Sequence, residues 1–338
     1  MPFPWQAWVM RQWQTRNWAS AVLWPLSGLT WLVVFWKRWR RRHHPPISPG
    51  VPIVVVGNVM VGGAGKTPLV MALAMHWQSQ GISVGVVARG FGRESTKITA
   101  VNERSTFKDV GDEPLLVWRR CQVPVFVGAD RAACSQALLA AHPQTQVLIS
   151  DDGLQHAGLH RDMEICVFDE RGFGNGWLLP AGPLRETWPR PVDPSISVWN
   201  LGSYPIANVD VVMVRRQLAP FAVGPKGQRR PLSDWKNRRV HALAAIAKPH
   251  LFFDGLRDQG LELGLSQAWP DHDPLLGFNP AVAEGDWFCT EKDAVKLWAR
   301  FPQVWAVPLE LQGLELWWPQ IDQALALRIS SRHGNQIA

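Results

Sequence analysis

The chain has 338 residues, 46% of them hydrophobic and 19% charged, so it can bury one large core or two modest ones and is not an intrinsically disordered protein. Its net charge of +7 resides in residues 1–43, where Arg11, Arg16, Lys37, Arg38, Arg40, Arg41 and Arg42 face no acid; elsewhere 28 acidic residues balance the bases. A globular part that is neutral overall removes the main support for nucleic-acid binding, and no nucleic acid is expected as partner. The cysteines Cys121, Cys134, Cys166 and Cys289 show no CxxC spacing, so neither a disulfide framework nor a cysteine metal cluster is expected.

The first predicted element is the uncharged run 18–36, "WASAVLWPLSGLTWLVVFW", about 28 Å long as a helix and so close to the hydrocarbon thickness of a bilayer. Eight of the 20 tryptophans lie in the first 39 residues, several near the ends of this run, where an amphipathic ring suits the headgroup region. The following "KRWRRR" opposes export, which argues against a cleaved signal and for a membrane anchor over residues 1–43 with its C-terminal side cytoplasmic. Pro25 and Gly28 fall mid-segment and could break the helix, so the run reads either as a full span or as a one-leaflet insertion. "HHPPISPG" then leads into a folded part starting near Val51.

"VPIVVVGN" is a β-branched apolar run of the kind found in buried parallel strands, and "TPLVMALAMHWQSQG" carries apolar residues at helical spacing. Between them, Met60, Val61, Gly62, Gly63, Ala64, Gly65, Lys66 and Thr67 form a glycine-rich loop in the strand–loop–helix setting of a phosphate site, although Met60 stands where the common pattern has glycine. The loop amides and helix N-terminus would face phosphate, Lys66 its β/γ oxygens, and Thr67 a Mg²⁺ ion, which points to a nucleoside triphosphate. "GISVGVVARGFGRES" repeats the strand-to-glycine-turn pattern with Arg89 and Arg93. "TQVLISDDGLQH" is a strand ending in Asp151 and Asp152, placed either to hold a metal beside the phosphate loop or to cap a turn. Residues 168–188 are rich in glycine and proline and include Arg185 and Glu186; a stretch this long reads as a binding loop or a plain surface excursion.

The expected architecture is α/β: an N-terminal membrane-anchoring helix (1–43), a P-loop core with a mainly parallel sheet (44–215), and a smaller C-terminal α/β lobe (216–338). The polar stretch 215–239, with Pro220, Gly224, Pro225 and Gly227, reads as the linker, and the tail after Arg328 as frayed.

Taken in order, "GNVMVGGAGKTP", "RGFGR", "GDEPLL", "DDGLQH", "GNGWLLPAGPLRE" and "TEKDAVKL" resemble the tetraacyldisaccharide 4′-kinase family, the lipid A kinases of Gram-negative bacteria. The resemblance runs from the apolar helix to about residue 297, and Met60 in place of glycine is itself a habit of that family. It implies transfer of the ATP γ-phosphate to the 4′-hydroxyl of an acylated glucosamine disaccharide 1-phosphate, at the cytoplasmic face of the inner membrane, with ATP and Mg²⁺. It also implies a catalytic Asp112 beside Glu113, an aspartate pair Asp151 and Asp152 followed by Gln155 and His156, and an acidic Mg²⁺-site residue Glu186 next to Arg185. The histidine partner of Asp112 falls at His272 in "WPDHDPL", where Asp273 replaces a second histidine of the family pattern, and Ala245 stands where glycine is common. The rival readings are a membrane-associated P-loop ATPase or GTPase switch, which needs no acceptor-activating pair, and a non-enzymatic adaptor.

Overall fold

The computed structural model describes residues 4–63, 65–188, 196–202 and 211–334. Helices Pro4–Gln12 (α1), Trp18–Leu23 (α2) and Ser27–His43 (α3) open the chain. Asn17 caps α2 by accepting from the Ser20 amide at 3.0 Å. Pro25 does not break the apolar run: it sits in a 3-10 turn, Trp24–Leu26, which leads into α3, because proline is tolerated in a first helical turn. Residues 18–43 are long and apolar enough to cross a membrane by length and composition. Most of this apolar surface is exposed, Trp18 by 80% and Leu29 by 64%.

Among the described residues, eight strands form the first sheet: Ile53–Gly57 (β1), Val84–Ala88 (β2), Thr99–Ala100 (β3), Val125–Val127 (β4), Val147–Asp151 (β5), Met163–Phe168 (β6), Ile196–Asn200 (β7) and Val212–Met213 (β8). Their order is β3-β4-β2-β5-β1-β6-β7-β8, parallel except for β3 against β4. Strands β1, β2, β5 and β6 are buried throughout, which is why they read as apolar runs without alternation. Helices Lys66–Ser79 (α4), Phe107–Val110 (α5) and Asp112–Cys121 (α6) cover one face through Leu69, Leu73, Trp77 and Leu115. The other face packs on Arg131–Ala141 (α7) and on Leu184. Central β1 pairs with β5 so that Val56 lies opposite Asp151, setting the phosphate loop beside the aspartate pair.

The second lobe contains Arg215–Leu218 (β9), Phe221–Val223 (β10), Arg229–Pro231 (β11), Arg239–Ala244 (β12), Glu262–Ala268 (β13), Trp287–Thr290 (β14), Trp305–Val307 (β15) and Leu309–Gln312 (β16). Six of them form the sheet β11-β10-β15-β14-β12-β13, and β9 pairs with β16 in a ribbon. Pro249–Asp258 (α8) and Glu291–Leu297 (α9) pack on this lobe. Two expectations change here. The stretch 215–239 is folded: Pro220 joins β9 to β10, and Gly224, Pro225 and Gly227 form the hairpin turn between β10 and β11. The last helix, Trp318–Gly334 (α10), runs past Arg328 and returns to the first lobe, where Ile321 and Leu325 join the core around Trp77. Asp322 accepts from Trp77 Nε1 at 3.0 Å and lies 3.0 Å from His76 Nε2, so α10 is tied to α4 by polar contacts as well.

Candidate active site

The phosphate loop leaves β1 at Gly57 and enters α4 at Lys66, so the N-terminus of a 14-residue helix points into it. Gly65 adopts φ 75° and Gly62 φ 96°, the left-handed conformations that this curl requires and that a β-carbon disfavours. Asn58, directly after the strand, braces both ends: its Nδ2 donates to Gly62 O at 3.2 Å and its Oδ1 accepts from Lys66 Nζ at 3.3 Å. Arg171 holds the loop from outside, donating to Val61 O at 3.1 Å and Gly63 O at 2.9 Å. Met60, expected among the nucleotide-contacting residues, has a side chain that is 3% exposed and belongs to the apolar core, with its backbone bridged to Leu184, so any contact it makes with a nucleotide is through the loop backbone. A hydrophobic side chain at this position anchors the loop, whereas glycine would leave a void. Ala64 lies outside the described residues.

The aspartate pair divides its work. Thr67 Oγ1 donates to Asp151 Oδ2 at 3.2 Å, while Asp151 Oδ1 is buried without a hydrogen-bond partner. Burial, aggravated by the charge of Glu113, pushes the Asp151 carboxyl up to about 7. Asp152, at φ 52°, turns the other way, 3.0 Å from Lys66 Nζ and 3.6 Å from Arg185 Nη1. Burial opposes its ionisation, but Lys66 and Arg185 outweigh that and hold it below the usual carboxylate range. Glu186 sits apart from this pair, accepting from Gln155 Nε2 at 2.8 Å; the same Gln155 nitrogen donates to Asn58 O at 2.8 Å. Thr67, Asp151, Asp152 and Glu186 therefore do not close into a single cage, and among the described residues no three His, Cys, Asp or Glu side chains converge as metal ligands. The donor set still fits Mg²⁺, which keeps several waters and takes one or two carboxylates plus phosphate oxygens. The unpartnered Asp151 oxygen beside the Thr67 hydroxyl is where a divalent ion would relieve buried charge. His156 lies away from the loop, its Nε2 accepting from the Arg131 amide at 3.4 Å at the start of α7; burial and then Arg131 push its pKa down.

Asp112 opens α6 and is 5% exposed. Across the lobe boundary, His272 Nδ1 lies 3.0 Å from both of its carboxylate oxygens. The histidine is held in a left-handed turn at φ 62°, its ring beside exposed Phe91 with centroids 4.9 Å apart. Two lysines of α9, Lys292 and Lys296, complete the cluster. Lys292 Nζ donates to Glu113 Oε1 at 3.2 Å and Asp271 Oδ1 at 3.2 Å, and lies 3.2 Å from His272 Nε2. Lys296 Nζ stands 3.4 Å from Asp112 and donates to Asp293 at 3.1 Å. Burial alone would raise the Asp112 pKa, but the His272 hydrogen bond and the charges of Lys292 and Lys296 hold it at about 2. Burial opposes the charge on Lys292 as well, yet Glu113, Asp112 and Asp271 keep it an ammonium. An ammonium can only donate, so His272 Nε2 accepts and Nδ1 carries the proton facing Asp112. Glu113 joins the two halves of the site, since it pairs with Lys292 and its charge reaches Asp151.

Asp273, standing where the resembling family has a second histidine, caps its own turn by accepting from the Leu275 amide at 2.7 Å. Ala245 is buried and donates its amide to Asp293 at 2.9 Å, while Lys248 crosses to the first lobe to pair with Asp169 and Glu170. Sequence reasoning missed Asn58, Arg171, Lys292 and Lys296 as site residues. The two lysines were visible in "TEKDAVKL" and Asn58 in "GNVMVGG", but nothing local marks them as facing Lys66 or Asp112. All four cysteines are buried and none is in a disulfide among the described residues; burial raises Cys121 to about 12, Cys134 to about 11 and Cys289 well above the ordinary thiol value, so these three are poor nucleophiles.

A parallel sheet with a glycine-rich loop at its central strand, and an aspartate of that lobe met by a histidine from the second lobe, defines a P-loop kinase. The family model described as Tetraacyldisaccharide-1-P 4′-kinase matches residues 19–326. A tetraacyldisaccharide 4′-kinase of Acidovorax sp. (strain JS42) is 45% identical over 324 residues, covering 95% of each chain. Another from Delftia acidovorans is 49% identical over 282 residues, covering 82% of each. The crystal structure of the "apo" form of LpxK from Aquifex aeolicus in complex with ATP superposes with a TM-score of 0.75 at 26% identity, covering 91% of this chain and 99% of that one. The chain belongs to the tetraacyldisaccharide-1-P 4′-kinase family.

Proposed function

We propose that this chain moves the γ-phosphate of ATP onto the 4′-hydroxyl of a tetraacyldisaccharide 1-phosphate, with His272 as the acceptor's base and Asp112 as its orienting partner. The observation that carries this reading is the pair itself: a histidine from the second lobe hydrogen-bonded at 3.0 Å to a buried aspartate whose helix packs beside the phosphate-loop helix. A nucleotide switch has no need of it. The phosphate-loop amides, Lys66 and the N-terminus of α4 hold the triphosphate and offset charge on the γ-phosphoryl oxygens. Mg²⁺, when bound, neutralises the β/γ oxygens, with Thr67 and Asp151 as the residues placed to hold it and its waters. The 4′-hydroxyl gives its proton to His272 Nε2 as its oxygen bonds to the γ-phosphorus, and the bond from that phosphorus to the β-phosphate oxygen breaks to release ADP. Asp112 stays ionised throughout and stabilises the imidazolium. Lys292 must leave Nε2 for the hydroxyl to reach it, and Glu113 and Asp271 are positioned to keep it.

Location at the cytoplasmic face of the inner membrane is part of the same reading. Along α3, Ser27, Thr30, Arg38 and Arg41 all bond to the folded domain, while Leu29, Leu32, Val33 and Trp36 are exposed. Contacts spread over roughly 21 Å of helix favour a segment lying along the interface over one that leaves the domain to span the bilayer. Such a seat brings the site to an acceptor whose acyl chains never leave the membrane. The deciding assay supplies γ-labelled ATP, Mg²⁺ and the disaccharide 1-phosphate in mixed micelles. Label in a bis-phosphorylated lipid is the expected result, and hydrolysis without lipid label would exclude the kinase reading in favour of a switch.

A further inference from the structure

The loop at 168–188 was open to two readings, a binding loop or a surface excursion, and its contacts give it a different task. On one side it receives the N-terminal helices. Trp13 Nε1 donates to Pro180 O at 2.9 Å, Ser27 Oγ to Leu178 O at 2.8 Å and Thr30 Oγ1 to Leu179 O at 2.7 Å. Near its end, Arg38 Nη1 donates to Thr187 Oγ1 at 2.8 Å and its Nη2 reaches Glu186 Oε2 at 3.4 Å. On the other side the same loop is laced to the phosphate loop. The Val61 amide donates to Pro183 O at 3.0 Å, the Arg185 amide to Val59 O at 2.7 Å, and Met60 bridges Leu184.

We propose that the N-terminal helices are part of the active-site scaffold as well as a membrane seat, and that Arg38 is a positioning residue that holds Glu186 and Arg185 against the phosphate loop. The geometry explains why Glu186 points inward. It is buried between Gln155, which also holds Asn58 at the root of the phosphate loop, and Arg38, whose side chain is 38% exposed and supplies the outer wall. A carboxylate with a donor on each oxygen is fixed in rotamer, as a residue acting toward a metal or its waters needs. The membrane-facing side of α3 and this inward contact are on opposite faces of one helix, so seating and positioning are separable by mutation. The consequence for catalysis rests on Glu186 acting toward the metal or its waters, the role that the family resemblance implies; the positioning itself does not.

The test uses the full chain in micelles. Arg38→Ala is expected to speed hydrogen exchange at the Arg185 and Val61 amides about tenfold, the order expected on losing one charge-assisted hydrogen bond. It is expected to raise the Mg²⁺ concentration for half-maximal activity by about tenfold as well, the low end for an outer-shell partner. Arg38→Lys, which keeps one donor, should recover part of both, and co-sedimentation with anionic vesicles should stay at the wild-type level. Arg42→Ala, which removes the same charge at an exposed position one turn further along α3, should leave both amides unchanged. Wild-type exchange in Arg38→Ala overturns the proposal, as does equal acceleration in Arg42→Ala, which would make Arg38 one basic address residue among several. Glu186→Gln separates the two ideas: an unchanged Mg²⁺ requirement there removes Glu186 from the metal side, and amide exchange in Arg38→Ala still decides the positioning.

Discussion

Two buried aspartates, Asp151 on the nucleotide side and Asp112 on the acceptor side, are 6% and 5% exposed, yet their carboxyls are driven in opposite directions, to about 7 and about 2. Burial penalises both. Asp112 has its cations built into the protein: two lysines of α9 and the Nδ1–H of His272 surround it. Asp151 has one hydroxyl, an unpartnered oxygen, and the charges of Glu113 and Asp152 set against the single cation of Lys66. The acceptor side is thus electrostatically complete without ligands, whereas the nucleotide side carries a charge deficit that a divalent ion would fill. On the proposed mechanism, one half of the site is prepared in advance to move a proton and the other is prepared to be finished by its cofactor.

The most forceful way to break this contrast is to remove the prepared half. His272→Ala and Asp112→Ala are each expected to lower kcat by about 10²- to 10⁴-fold, the usual range for a general base, with little change in nucleotide affinity. Steady-state kinetics with an equilibrium nucleotide titration checks both, and the double variant should lose little more than either single one, because the residues act as a unit. A wild-type rate in either single variant removes the pair from the mechanism.

Opposite pKa directions require opposite stability effects. The Asp112 pKa is depressed in the fold, so its stabilisation is fully present above the ordinary value of 3.8 and is lost as pH falls from there toward about 2. Asp112→Asn should cost about 2 kcal/mol at neutral pH and remove that part of the acid transition. For Asp151 the sign reverses: its carboxyl is raised, so the folded state is increasingly penalised as pH climbs from 3.8 toward about 7, and Asp151→Asn should raise the melting temperature of metal-free protein at pH 8. The same variant should need about 10- to 100-fold more Mg²⁺ for transfer. Paired thermal melts across pH would expose the contrast directly, and parallel shifts in the two variants would contradict it.

The nucleotide side was the legible half because its chemistry is contiguous: a strand, a glycine loop with Lys66 and Thr67, and a largely buried helix all fall within residues 51–81. The acceptor side draws on residues 112, 272 and 292, separated by 160 and 20 positions, and only the topology that sets α9 against α6 brings them together. Residue 272 was reached through resemblance, and Lys292 was not assigned a role, since a lysine in a helix reads as a solvated charge until its three partners are visible. The misread linker has a local cause. Glycine and proline mark turns but do not say whether a turn separates domains or closes a hairpin, so 215–239 looked like a linker. Met60 similarly occupies a loop position by sequence and a core position by packing.

The finest test of the prepared half concerns Asp273, the acid next to the histidine. Its side chain does not face Asp112; it caps the turn by accepting from Leu275, and its carbonyl receives Lys296 Nζ at 3.1 Å. If the turn rather than the charge matters, Asp273→Asn keeps the acceptor oxygen and should stay within about twofold of wild-type kcat. Asp273→Ala loses the cap and should cost about 1 kcal/mol of stability. Its activity should fall only as far as His272, held at φ 62° in the same turn, loosens. The pH–rate profile tells the alternatives apart, because a cap leaves the apparent pKa of the base in place. A profile shifted toward lower pH in Asp273→Asn would instead mean that the carboxylate tunes the imidazole, adding a second acid to what the structure builds as a single Asp–His pair.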